Sequence, residues 1–309
     1  MDRLGGMRLF VMVAEMGSFS VVAQRLNLAR SVVTRQISAL EAHLGAKLLA
    51  RSSRRLSLTS AGAVYLEKCR EILSLVEAAE ADLNEDRQTP RGHIRATLPL
   101  SFGVRQLMPM ISDFMVANPE ISIELDFNDH RVNLIEGGFD LAIRISDRLA
   151  PGDVARRIGS SRGVIVAAPD YLERHGRPMH PAELLGHACF GYLLDTTSSW
   201  GFVIEGEQRT YPISGRLRAN NGDALIAAAV RGLGIARAPT FLAEQAVRTG
   251  QLEILLRRFP TPQMGIYAVF PGSRHLPHRV RALVDYLAAR IGPQPAWEDF
   301  LAPGFVEST

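Results

Sequence analysis

Val33, Ile37, Leu40 and Leu44 recur at spacings of 4, 3 and 4, and this stripe confines residues 30–44 to an amphipathic helix with one buried side. The opposite side carries Arg30, Ser31, Thr34, Arg35 and Ser38, all small, polar or cationic. Gly45 supplies the stop. Upstream, Leu4, Met7, Phe10, Val11 and Ala14 predict a first helix that ends near Gly17. Ser18 or Ser20 can cap a short second helix through Val22, Ala23 and Leu26, and Asn27-Leu28-Ala29 makes a tight turn into the third.

Side chains of the size and charge found on the 30–38 face can enter a major groove and donate to phosphates and base edges. The charge distribution agrees with that use. Residues 1–60 hold nine Lys/Arg against three Asp/Glu, whereas residues 61–90 hold three against seven, within a chain whose overall charge is only +3. A charge run alone is equally compatible with a solvated basic surface, so the helical spacing carries the argument. After Gly45, residues 47–51 and 55–58 read as two short strands around Ser52-Ser53-Arg54, a β-wing with a cationic tip. Arg51, Ser53 and Arg54 therefore join the expected DNA contacts.

From Ala61 to about Asp86 one long helix is expected. Tyr65, Cys69, Ile72, Val76, Ala79 and Leu83 follow the alternating 4 and 3 spacing of a coiled-coil seam, while Glu67, Glu71, Glu77, Glu80, Asp82 and Glu85 keep the other faces wet. The pattern favours dimerisation over a helix packed only on its own domain. Cys69 is read as packing, because the second cysteine, Cys189, is far away in sequence and no resolving thiol lies nearby. Residues 88–92 then form a hinge.

Beyond it, strands and helices alternate. His93–Leu98, Ser101–Met115, Ile121–Phe127, Val132–Glu136 and Phe139–Ile145 form a βαβαβ unit with parallel strands. A second set runs through 164–168, 171–175, 189–193, 200–204, 210–217, a helix at 223–232 and a strand at 235–238. Two such lobes enclose a cleft, and ligands of open parallel sheets sit at the carboxyl ends of strands, near helix N-termini. The effector-binding candidates are Pro99, Leu100, Ser101, Arg144, Ser146, Asn221, Arg237, Pro239 and Thr240, with a small anion as the preferred ligand. Helix capping is an equal reading for Ser101 and Asn221.

No catalytic residue, metal ligand or cofactor is expected. Gly159-Ser160-Ser161-Arg162-Gly163 matches G-x-S-x-G, but a strand follows it where a nucleophile elbow needs a helix. His175, His180, His187 and Cys189 have no zinc-like spacing. Gly232-Leu233-Gly234 follows a helix and precedes a strand, the reverse of a dinucleotide-binding turn. The longest unbroken apolar run, 224–230, is far short of the roughly 20 residues of a membrane span. The opening residues lack the pattern of a signal peptide, so a cytoplasmic location is expected.

The run Phe10-x2-Val13-Ala14-x2-Gly17-Ser18-Phe19-Ser20, then Ile37-x2-Leu40-Glu41-x2-Leu44-Gly45-x2-Leu48-Leu49-x-Arg51-x2-Arg54 and Leu58-Thr59-x-Ala61-Gly62, resembles the winged helix-turn-helix of LysR-type transcriptional regulators. The resemblance continues through residues 139–144, 232–235 and 274–276 and so covers nearly the whole chain. Where that family usually carries a small polar residue and then Gln at the start of the third helix, this chain has Ala29-Arg30. The resemblance implies a winged helix-turn-helix over 1–60, a coiled-coil linker helix over 61–88 and a two-lobed α/β effector domain like that of periplasmic binding proteins. The first lobe would comprise 92–163 and 266–292, the second 164–265, and 293–309 a C-terminal tail. It further implies an inverted-repeat operator in double-stranded DNA, a small-molecule effector, dimers that pair into tetramers, and RNA polymerase as a candidate further partner. The alternatives are a solute-binding protein of the two-lobed fold and, behind it, a hydrolase using Ser161.

Overall fold

The computed structural model describes residues 2–51, 56–82, 89–195, 197–272, 276–293 and 295–301, without the side chains of 51, 71, 74 and 77–82. Two compact units divide between Thr89 and Pro90. Among the described residues no single helix is long and apolar enough to cross a membrane.

In the first unit, α1 (Arg3–Met16) begins where the Asp2 carboxylate accepts the Gly5 N–H at 2.9 Å, and it ends at Gly17, whose φ of 62° suits only glycine without strain. Ser18, rather than Ser20, caps α2 (Phe19–Arg25) by accepting the Val21 N–H. After a turn through Asn27, α3 (Arg30–Leu44) buries Val33, Ile37 and Leu40 against Phe10, Val13 and Val22. Leu44, the fourth member of the expected stripe, is instead exposed. The inward position in the last turn belongs to Glu41.

Glu41 is 5% exposed, and its carboxylate accepts the Leu48 and Leu49 N–H groups at 2.9 and 3.2 Å and the Lys47 ammonium at 2.8 Å. It thereby ties α3 to the start of β1 (Leu49–Arg51), which pairs antiparallel with β2 (Leu56–Leu58). Thr59 then caps α4 (Ser60–Asp82) by accepting the Gly62 N–H at 2.9 Å. A Cβ on Gly62 would lie 1.9 Å from the Leu48 carbonyl oxygen, which explains glycine in the Leu58–Gly62 motif. Burial pushes the Glu41 carboxyl up, but the bonds from Lys47 and the two amides outweigh it and hold the group below its ordinary value of 4.5. Its contribution to stability is therefore complete above that value and lost as pH falls through the lower folded value. Glu41→Ala should destabilise this unit by about 2 to 4 kcal/mol at about pH 7, and the difference from the unaltered protein should shrink as pH is lowered through the depressed folded value, as urea unfolding over a pH series would show.

The first half of α4 completes the same core. Leu66 and Cys69 are buried with Leu9 and Phe10, the Tyr65 ring lies 5.8 Å from that of Phe10, and Arg70 pairs with Glu15 and Glu67. Tyr65 and Cys69, expected on the seam, are thus turned into their own unit. Ile72 and Leu75 are exposed and Val76 is half-buried. The side chain of Ala79 and all of Leu83 lie outside the described residues.

The second unit runs β3 (Gly92–Leu98), α5 (Leu100–Phe102), a π turn, α6 (Met108–Ala117), β4 (Ile121–Phe127), β5 (Leu141–Ser146), β6 (Val154–Ser161) and β7 (Gly163–Ala167). It continues with α7 (Pro169–His175), β8 (Gly191–Tyr192), β9 (Ser199–Ile204), β10 (Glu207–Pro212), β11 (Arg218–Ala219) and α8 (Gly222–Val230). Then come β12 (Ala236–Pro239), α9 (Thr240–Arg248), β13 (Glu253–Leu255), β14 (Met264–Phe270) and α10 (His278–Ile291). One lobe is a five-stranded sheet, β4-β3-β5-β14-β6, in which β3 runs parallel to β4 and β5 and β14 is antiparallel to both neighbours. The other is built on the antiparallel sheet β12-β7-β13 with the hairpin β9–β10.

Residues 171–175 lie in α7, for which Pro169 at its first position is a fitting start. Two expectations need correction. The Val132–Glu136 helix is replaced by turns at 134–138. The segment read as a C-terminal tail forms a 3₁₀ helix at Ala296–Leu301 with Trp297, Glu298 and Phe300 buried. Glu298 accepts the Arg162 N–H at 2.9 Å, its guanidinium at 2.6 Å and the Thr240 hydroxyl at 3.3 Å, next to the crossover from β6 to β7.

Candidate functional site

Arg30, Ser31, Arg35 and Ser38 stand exposed on the outer face of α3, and Thr34 is half-buried beside them. The first turn is open. Unlike Asp2 and Ser18, Ala29 offers no side chain to cap the helix, so the first-turn N–H groups at its positive end have no side-chain cap. Cationic side chains, small hydroxyls and free amides on one face form a donor surface for phosphate oxygens and base edges. Ser53 and Arg54 and the side chain of Arg51 lie outside the described residues.

In the second unit a cleft between the lobes is already bridged by the protein's own carboxylates. Ser101 is buried, and its hydroxyl donates to Asp223, whose other oxygen accepts the Arg105 guanidinium at 2.6 and 3.0 Å. Asn221 caps α8 by accepting the Ala224 N–H at 3.0 Å and approaches the Ser101 hydroxyl at 3.5 Å. The Leu100 N–H, freed because Pro99 provides no cap, donates to Asp129 at 3.0 Å. Burial raises the Tyr192 hydroxyl well above the usual tyrosine range, aided by the neighbouring charges of Asp129 and Asp195 and by its hydrogen bond to Asp129. Arg105, Asp129, Tyr192 and Asp223 are absent from the sequence-derived set, because their partners lie across the cleft.

Residues 4–63 match the model of the bacterial regulatory helix-turn-helix proteins of the lysR family, and residues 87–292 match the LysR substrate binding domain. The chain belongs to the LysR family. An HTH-type transcriptional regulator of Xanthomonas campestris pv. campestris (strain 8004) is 35% identical over 288 residues, 92% of this chain and 84% of that protein. CrgA of Neisseria meningitidis serogroup C (strain 8013) is 32% identical over 285 residues, 92% of this chain and 95% of that protein. Its solved relative, CrgA described as a LysR-type transcriptional regulator from Neisseria meningitidis, aligns with a TM-score of 0.59 and 31% identity over 93% of this chain and 98% of that one. Full-length AphB of Vibrio cholerae aligns with a TM-score of 0.56 and 27% identity, over 93% of this chain and 98% of that one. This LysR-type protein is therefore a transcriptional regulator with a helix-turn-helix unit and an effector-binding domain.

The remaining effector candidates of this LysR-type regulator do not converge on Ser101. Arg237 is paired with Asp195 at 2.7 Å inside the second lobe. Pro239 precedes α9, and Thr240 is fully buried with its hydroxyl on Glu298 and its N–H on the Arg162 carbonyl. Arg144 and Ser146 line a separate cavity of about 420 Å³ against the first lobe. Ser161, offered by the G-x-S-x-G match, sits in the β6 strand with its hydroxyl buried and, among the described residues, without a hydrogen-bond partner.

His175 and His187 each meet Tyr171, through its carbonyl and hydroxyl oxygens respectively, and the His180 ring accepts the Ala182 N–H. Among the described residues no three such side chains gather in a metal-binding group. Both thiols are buried, and burial pushes Cys69 up to about 11 and Cys189 up to about 12. A thiol-specific aromatic disulfide should therefore find no rapidly reacting cysteine in the native protein and two after denaturation; a fast native phase would contradict this burial.

Proposed function

We propose that this LysR-type regulator binds an inverted-repeat operator as a dimer through α3, and that a small anionic metabolite sensed between the lobes sets the placement of its DNA-binding units. The uncapped, cationic outer face of α3 carries the DNA reading. No intramolecular ion pair among the described residues occupies Arg30 or Arg35. Dimerisation rests on the apolar side chains from Ile72 onward, and pairing of dimers into tetramers follows from the family resemblance.

For the effector, Asp223 is the informative residue. A carboxylate already satisfies Ser101 and Arg105 together, so the same donors suit a ligand carboxylate that displaces it. Such a ligand must break a cross-lobe contact to bind, which gives it the differential interaction that any conformational response requires. Asp223→Asn removes the competing charge and should tighten binding of small carboxylates by about tenfold. Calorimetric titration of succinate into the wild-type and variant proteins, with operator affinity measured in parallel, tests this. Equal affinity in both proteins would remove Asp223 and the cleft anion from the reading.

A further inference from the structure

The cavity beside Arg144 has walls from residues 129–135, 142–153 and 269–272 and none from the second lobe. Ala142, Arg144 and Ser146 alternate onto one face of β5, opposite Val269, Tyr267 and Gly265 of β14. Loops cross that face on both sides of β5, and the turns at 134–138 stand where the sequence pattern predicts a packed helix. The cavity volume of about 420 Å³ lies in the lower part of the range typical of small-ligand pockets, roughly 300 to 1,000 Å³.

Its charges are unevenly answered. Asp153 accepts Arg131 and the Ala150 N–H, and Asp129 accepts the Leu100 N–H, so both acids at the cavity are engaged. Arg144 is not. Nη1 donates to the carbonyls of Asn128 and Ile143, at 3.2 and 3.4 Å, and Nη2 is buried and, among the described residues, has no partner. A buried donor left unpaired costs on the order of 1 to 3 kcal/mol, more when charged, and proteins seldom keep one without a use. Burial holds this guanidinium below the usual arginine range, Arg131 adds repulsion, and Asp129 and Asp126 offset the two only in part. The lining sets the apolar side chains of Leu134, Leu149, Val269 and Phe270 beside the charged Arg131, Arg148, Asp129 and Asp153.

We propose that this cavity is a second small-molecule site, distinct from the Ser101–Asp223 contact, which takes a compact monocarboxylate: the carboxylate pairs with Arg144 and the apolar body lies among Leu149, Val269 and Phe270. An anion there gives the Arg144 guanidinium, whose printed partners are carbonyl oxygens, a charged acceptor and screens it from Arg131. The site stands whether or not the cleft also binds a ligand.

Calorimetry on the full chain with sodium isovalerate and sodium phenylacetate, against isovaleramide and phenylacetamide, tests the idea. At least one carboxylate should bind, its neutral amide at least about tenfold more weakly. Arg144→Gln should weaken the carboxylate by a similar factor. Leu149→Trp should abolish binding by filling the cavity with Arg144 intact, which keeps the test open if the arginine variant does not fold. The proposal is overturned if neither carboxylate binds, if amide and acid bind alike, or if Ser101→Ala abolishes binding that Arg144→Gln spares.

Discussion

Replacing Arg30 and Arg35 together by alanine should lower operator affinity by about 100- to 1,000-fold, because a dimer loses four cationic contacts at once. Both side chains are exposed on α3, so the unfolding midpoint should stay close to that of the unaltered protein. The loss has a salt signature. Each phosphate contact removed should make the slope of log affinity against log salt shallower by about 0.9, so the two proteins should differ most between about 50 and 200 mM salt. Fluorescence anisotropy over that range separates the effects: an affinity drop with an unchanged slope assigns the arginines to base edges alone, and no drop removes them from the interface.

The second large effect concerns assembly. Ile72→Asp should dissociate the dimer and reduce operator binding by about 100-fold or more, since an unpaired carboxylate in an apolar seam costs several kcal/mol and a monomer holds only one half-site. Ile72 and Leu75 are exposed in the single chain, so the same substitution should cost the isolated fold little. Cys69→Asp offers the contrast. That residue is fully buried against α1, and a carboxylate there should unfold the first unit rather than split a dimer. Sedimentation velocity of the Ile72 variant as a folded monomer is the expected result, and sedimentation at the unaltered size would place the interface elsewhere.

The contrast between these two substitutions shows what periodicity can and cannot convey. A 3.5-residue spacing marks Tyr65, Cys69, Ile72 and Val76 as one stripe but does not say where the stripe passes from its own domain to a partner. The handover depends on how far α1 extends alongside α4. In α3 the spacing identifies Val33, Ile37 and Leu40 because one continuous core covers them, and it fails at Leu44, where the buried position belongs to Glu41. A buried glutamate is not legible from pattern, since its partners are backbone amides seven and eight residues further on.

The effector domain conceals its pairings for the same reason. Ser101 and Asp223 are 122 residues apart, and Arg237 and Asp195 are 42 apart, so neither pairing leaves a local trace. Asp223 beside Asn221 looks like an ordinary acidic first turn of a helix, and only the opposing lobe reveals it as the partner of Ser101 and Arg105. The C-terminal segment did carry a signal, for Trp297 and Phe300 are larger and more apolar than a solvated tail requires.

Selection of operator sites from random double-stranded DNA, run in parallel with the unaltered protein, with Arg30→Ala and with Thr34→Ala, tests the central claim most directly. If α3 reads base edges from its uncapped first turns, the unaltered protein should return a single inverted repeat. The two variants should return sites with relaxed preference at the same symmetric positions in both half-sites, at roughly 1 to 3 kcal/mol per lost base contact. Recovery of an identical site by all three proteins, or of no common site by the unaltered one, would contradict a reading helix at α3.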